Sequence, residues 1–136
     1  MRAIIFDYFG VLAHRYGQCD QWVMRFIQEE LVGRYTLAVL SNMSGGSAAE
    51  MLGEYAHMFG TVILSGDMGV SKPDERAFLE AARRLGEFPS DCVMIDDSQT
   101  NCAGAERAGM RAVYFQGVEE LSEALKALEK RAIINS

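Results

Sequence analysis

Apolar and polar positions follow two alternating periods along this chain. Ala3-Ile4-Ile5-Phe6 is an unbroken apolar run that stops at Asp7, and Gly10 follows three positions later. Such a run reads as a strand buried on both faces, as at the centre of a parallel sheet, with the glycine freeing the chain to turn away. Thr36 to Leu40 repeats the pattern and ends in Ser41-Asn42; Cys92 to Ile95 repeats it and ends in Asp96-Asp97. Thr61 to Leu64 and Arg111 to Phe115 supply two shorter strands.

Between these runs the apolar period changes to that of a helix. Trp22, Val23, Phe26, Ile27 and Leu31 share one face before Gly33. Ser47 with Glu50 is a capping-box signature for a helix running to about Met58. Pro73 suits the first turn of a helix whose buried face is Phe78, Ala81, Ala82 and Leu85, with Gly86 at its end. A further helix spans about Gln99 to Ala108 and stops at Gly109. Val118, Leu121, Leu125 and Leu128 line the last one. Ala13 to Gly17, Ser44 to Gly46, Ser65 to Ser71 and Pro89 to Asp91 read as loops or turns.

Strands that alternate with helices predict βαβ units, right-handed crossovers and a parallel sheet between two helix layers. The expected fold class is α/β: a three-layer, Rossmann-like domain on five parallel strands, a single domain over residues 1–136. In such sheets ligands bind outside the carboxyl ends of the strands. The polar groups that end three of these runs fall at that edge, which points to one shared site.

Composition narrows the chemistry. Nineteen acidic against thirteen basic side chains leave a net charge of −6, and the arginines are scattered. No basic stripe is available to displace counterions from a duplex, so nucleic acid is not an expected partner. No apolar run reaches membrane-spanning length. Asp7 interrupts the N-terminal run and no small-residue cleavage site follows, so no leader is expected there. Cys19, Cys92 and Cys102 are odd in number and form no Cys-x-x-Cys pair, which fits a reduced, cytoplasmic setting. Cys92, inside a buried run, reads as a structural thiol.

Four polar stretches stand out together: Asp7, Ser41-Asn42, Lys72-Pro73 and Asp96-Asp97. Singly, each has an ordinary explanation as a strand-end cap, a solvated lysine or acids opening a helix. Their order and strand contexts together resemble the haloacid dehalogenase-like (HAD) hydrolases. The resemblance lies in Phe6-Asp7-Tyr8-Phe9-Gly10-Val11-Leu12, Val39-Leu40-Ser41-Asn42, Ser71-Lys72-Pro73-Asp74, and Ile95-Asp96-Asp97-Ser98-Gln99-Thr100-Asn101 running on to Ala108-Gly109-Met110.

That resemblance implies a hydrolase, most often a Mg²⁺-dependent phosphatase that works through an aspartyl-phosphate intermediate on a small or bulky phosphorylated substrate. Asp7 is then the nucleophile. Asp7, Asp96 and the main-chain carbonyl of Phe9 are the implied Mg²⁺ ligands, with Asp97 ligating through water or orienting its neighbours. Lys72 is implied to neutralise nucleophile and phosphate, and Ser41, with Asn42 beside it, to bind the phosphate.

Two departures shape the expectation. Family phosphatases usually carry a second aspartate two positions after the nucleophile, as general acid and base; here that position is Phe9, which holds no transferable proton. Many relatives insert a helical cap between the first two motifs, yet only 33 residues separate Asp7 from Ser41, enough for a loop and one helix. A capless domain with an open site is therefore expected, and a partner or a second copy could complete it. A noncatalytic phosphate- or protein-binding module and a carbon-attacking dehalogenase remain as alternatives. His14, in the loop after the nucleophile, is either an exposed loop histidine or a partial substitute for the missing acid, since histidines titrate near neutral pH.

Overall fold

The computed structural model describes residues 1–134, so the last two residues of the expected domain lie outside the described residues. The strands are β1 (Ala3–Phe6), β2 (Thr36–Ser41), β3 (Thr61–Leu64), β4 (Cys92–Asp96) and β5 (Arg111–Tyr114). The helices are α1 (Gln21–Glu30), α2 (Ala48–Leu52), α3 (Glu75–Leu85), α4 (Gln99–Arg107) and α5 (Val118–Ile134). All strand pairs are parallel, and the spatial order is β3-β2-β1-β4-β5.

Side chains that alternate along the strands feed two separate cores. Ile4 and Phe6 of β1 join Val23, Ile27, Leu121 and Leu125 on the face of α1 and α5. Ala3 and Ile5 face the other way, with Phe78, Ala81 and Ala105 of α3 and α4. This period of two is why β1 needs an apolar residue at every position. Phe6 is fully buried and meets Phe59 edge to face, with ring centroids 6.0 Å apart. Burying a side chain of this size stabilises the fold by about 1.5–3 kcal/mol.

The topology also fixes where a ligand can sit. From β1 the chain winds outward through β2 and β3, then crosses back to β4 and β5 on the other side. β1 is therefore the topological switch point, and the crevice of a doubly wound sheet opens above its carboxyl end. Asp7 is the first residue beyond that end.

Four local expectations are corrected. The helix expected from Ser47 to Met58 is α-helical only as far as Leu52, and Gly53–Met58 forms a tighter 3-10 helix. Gly53 is the break, with φ of 53°, a left-handed value that glycine alone adopts freely. Pro73 lies before α3 rather than in its first turn, because Asp74 caps the helix by accepting from the Arg76 N–H. The loop expected from Ser65 contains a 3-10 turn over Ser65–Asp67. The excursion after β1 starts at His14, since Ala13 is buried and bridged to Phe9 and Cys19.

Candidate active site

Asp7, Lys72, Asp96 and Asp97 converge above the carboxyl ends of β1 and β4. Lys72 is buried, and its ammonium donates to Asp7 Oδ1 at 2.8 Å, to Asp96 Oδ2 at 2.9 Å and to the Leu40 carbonyl at 2.9 Å. An ammonium has three protons, so all of Lys72's donors are spent on the protein. Its direct effect falls on the carboxylates, and a phosphate would have to displace one of these acceptors to reach it.

Asp96 ends β4 with no solvent exposure. Besides Lys72, it accepts from the Ser98 N–H at 2.9 Å and from the Asn101 side-chain amide at 3.2 and 3.3 Å. Ser98 caps α4 by accepting from the Asn101 N–H, which sets Asn101 over the carboxylate. Asn101 was part of the motif stretch in the sequence but had no assigned role; its spacing of five from Asp96 gives no sign of contact until the turn between strand and helix is known.

Asp97 is exposed beyond the strand, and Gly10 makes room for it. Gly10 has φ of 88°, and a Cβ there would run into the carboxylate of Asp97. One ligand atom from each of Asp7, Asp96 and Asp97 lies within 4.8 Å of the other two. Three carboxylates against one ammonium leave an excess of negative charge that a cation would relieve. Oxygen donors of this kind suit Mg²⁺, which takes one or two carboxylates plus other oxygen ligands. The donor set therefore fits the metal. The bonds that close the loop after the nucleophile run from Ala13 N–H to the Tyr8 carbonyl and from Gly10 N–H to the Ala13 carbonyl, which leaves the Phe9 carbonyl outside them.

Burial is the largest influence on Asp7 and pushes its pKa up to about 6; Lys72 opposes the rise, and the carboxylates of Asp96 and Asp97 reinforce it. A nucleophile desolvated in this way needs positive charge nearby to stay ionised.

Ser41 and Asn42 part company. Ser41 is buried at the end of β2, and its Oγ accepts from the Met43 N–H at 3.4 Å, leaving the hydroxyl proton unused. It lines a cavity of about 320 Å³ with Asp7, Phe9, Asn42, Lys72 and Asn101. Asn42 borders the same cavity and commits its amide oxygen and one amide proton to the scaffold. It accepts from Ser65 Oγ at 2.6 Å and from Lys72 N–H at 2.9 Å, and donates to the Lys72 carbonyl at 3.1 Å. These bonds make Asn42 a clamp on the Lys72 loop, and its second amide proton is left over at the edge of the cavity. Gly104 supports the same loop from α4, where any Cβ would strike the Pro73 carbonyl.

Phe9 is 41% exposed and packs edge to face on Tyr8, with centroids 4.8 Å apart. His14 stands in the following turn, its Nε2 3.2 Å from Asp20 Oδ2. Burial pushes the thiols of Cys92 and Cys102 up to about 11, in keeping with structural cysteines.

A sequence profile of the haloacid dehalogenase-like hydrolases matches residues 23–109, more than half of the chain, and takes in Ser41, Lys72, Asp96 and Asp97. The chain belongs to the haloacid dehalogenase-like hydrolases. Asp7 and Phe9 precede the matched stretch, so their place in this HAD-like hydrolase rests on the geometry above. A glyceraldehyde 3-phosphate phosphatase of Methanopyrus kandleri is 45% identical over 61 residues, 44% of this chain and 26% of that protein. The match spans about a quarter of the length of the first curated relatives. An uncharacterized protein from Corynebacterium glutamicum superposes with a TM-score of 0.78 at 33% identity, with 94% of each chain covered. A HAD family enzyme from Bacteroides thetaiotaomicron, solved with magnesium and inorganic phosphate, shares the fold at a TM-score of 0.63 and 15% identity over 83% of this chain and 93% of that one. Among the described residues no helix is long and apolar enough to cross a membrane.

Proposed function

We propose that this HAD-like hydrolase is a Mg²⁺-dependent phosphatase of the reducing cytoplasm that acts through a phosphorylated Asp7. The observation that carries the reading is the buried Lys72 ammonium, which bridges Asp7 and Asp96 while Asp97 completes a three-carboxylate cluster. Relatives named as phosphatases support it.

Asp7, which borders the cavity, attacks phosphorus through the oxygen that Lys72 leaves free while Lys72 holds the other. Splitting hydrolysis into formation and breakdown of an acyl phosphate replaces one hard displacement with two easier ones. The Ser41 hydroxyl donates to a phosphate oxygen, and Asn42 fixes Lys72 from behind. Asp7, Asp96, Asp97 and the Phe9 carbonyl would hold Mg²⁺, which when bound neutralises phosphate charge beside the carboxylates.

Phe9 limits what the site does well. General acid–base catalysis is worth about 10²–10⁴-fold, and Phe9 cannot supply it. Acyl phosphates and nitrophenyl phosphate, whose leaving groups need little protonation, are thus favoured over alkyl phosphates. The segment between β1 and β2 holds one loop and α1, so the cavity is open and accommodates bulky esters. Phe9 also favours a second reading, a phosphate-binding module that does no chemistry; a carbon-attacking dehalogenase would need an enclosed pocket. A panel of acyl, aryl and alkyl phosphates assayed with and without Mg²⁺ separates these. Metal-dependent turnover of the activated substrates is expected, and phosphate binding without turnover would favour the module.

A further inference from the structure

We propose that His14, oriented by Asp20, protonates the leaving group, and that this group occupies a second cavity on the far side of Phe9. The proposal rests on the phosphatase reading and names the acid that reading lacks.

Phe9 lines two cavities. One holds Asp7, Ser41 and Lys72; the other, of about 410 Å³, is bounded by His14, Asp20, Asp97 and Phe115. With the phosphoryl group on the Asp7 side, an ester group lying past Phe9 enters the second. An alkoxide that departs there needs a proton.

The second cavity offers few donors. The side chains of Phe9, Val11, Ala13 and Phe115 have none, and a guanidinium such as that of Arg15 is not a general acid in proteins. Asp97 belongs to the carboxylate cluster. Asp20 is committed twice: Oδ1 caps α1 by accepting from Trp22 N–H at 2.9 Å and Val23 N–H at 3.0 Å, and Oδ2 faces His14 Nε2 at 3.2 Å. That pairing leaves Nδ1 of His14 for the substrate. A carboxylate fixed at a helix start and paired to one ring nitrogen sets the orientation of the other. Asp20 is thus a positioning residue.

The turn that carries His14 is tied to the nucleophile loop. Ala13 N–H bonds to the Tyr8 carbonyl and the Ala13 carbonyl takes Gly10 N–H, both at 2.9 Å. His14 N–H donates to Gln18 O and its carbonyl accepts from Gly17 N–H, both at 2.8 Å, while the Tyr8 hydroxyl, which donates to the Met51 carbonyl at 2.5 Å, lies 3.2 Å from Gly17 O. His14 is exposed, and a bound ester would cover it.

The step balances. An Asp7 oxygen forms a bond to phosphorus as the bond from phosphorus to the ester oxygen breaks; that oxygen keeps the electron pair and takes the Nδ1 proton of the imidazolium. Neutral His14 then takes a proton from the water that attacks the acyl phosphate, which frees Asp7 and phosphate and restores the imidazolium.

The test compares nitrophenyl phosphate with a simple alkyl phosphate, both with Mg²⁺. His14→Gln is expected to lose about 10²-fold in kcat/KM on the alkyl ester and far less in kcat/KM on nitrophenyl phosphate, while kcat falls on both through the shared hydrolysis of the acyl phosphate. Asp20→Asn, which keeps the helix cap, should show the same asymmetry more weakly, by about tenfold. Imidazole in solution should restore alkyl turnover to His14→Ala. Equal losses of kcat/KM on both substrates, no loss on either, or a parent protein that cleaves nitrophenyl phosphate and not the alkyl ester overturns the role of His14 and leaves the phosphatase standing. A parent that cleaves neither overturns both.

Discussion

Asn42 holds both main-chain polar groups of Lys72, accepting from its N–H at 2.9 Å and donating to its carbonyl at 3.1 Å, so the lysine that bridges Asp7 and Asp96 is fixed at its backbone as well as its tip. Ser65, buried after β3, completes the grip by donating to the same Asn42 oxygen at 2.6 Å. Breaking a buried ion pair by removing one partner costs about 3–5 kcal/mol, so misplacing Lys72 should be felt in stability and in turnover. Asn42→Ala is expected to destabilise the protein by about 1–3 kcal/mol, because it leaves buried polar groups unpaired, and to lower kcat more than it raises KM. Denaturant melts and steady-state kinetics on the same preparation check this. A rise in KM alone would mark Asn42 as a substrate contact rather than a clamp.

Metal and pH should act on stability through Asp7. Burial raises its folded pKa from 3.8 to about 6. A carboxyl whose folded pKa is raised lends stability that is fully present below its unfolded pKa and is lost as pH climbs through the folded value. Without metal, the Asp7 contribution therefore falls away between about pH 4 and pH 6. A cation that binds the ionised cluster offsets this by mass action. Millimolar Mg²⁺ is expected to raise the melting temperature more at about pH 8 than at about pH 5, and Asp96→Asn to abolish the gain. A melting curve indifferent to Mg²⁺ at both pH values would contradict a metal site.

Phe9→Asp tests the missing acid. Phe9 is 41% exposed, so a carboxylate there stays solvated and the fold should tolerate it. Turnover of alkyl phosphates is expected to rise by about tenfold in the otherwise unchanged protein, and toward the ~10²-fold end in a His14→Ala background, because the two acids serve one leaving group. Nitrophenyl phosphate should gain less in both, and Asp7→Asn should remove every gain. A folded Phe9→Asp protein with no gain on any ester would favour the binding module.

The centre of the sheet was legible because β1, β2 and β4 are short runs buried almost throughout, each with polar groups at its end. Asp7, Lys72, Asp96 and Asp97 were legible as a set through the resemblance. What stayed hidden was the geometry between distant segments. Asn42 follows a strand just where a phosphate ligand is expected, and only the fold shows that it also clamps Lys72 and Ser65. Asn101 and Gly104 act across a turn and a helix crossing that spacing does not encode. The helix expected from Ser47 to Met58 is cut short by Gly53, whose positive φ ends the α-helix and which the capping-box signature does not reveal.

The most direct measurement is the intact mass of the protein, quenched in acid during turnover of an acyl phosphate with Mg²⁺. The account predicts a metal-dependent gain of one phosphoryl group that hydroxylamine removes, that localises to the peptide containing Asp7 and that is missing in Asp7→Asn. Turnover without that adduct, or an adduct that survives Asp7→Asn, would contradict Asp7 as the nucleophile.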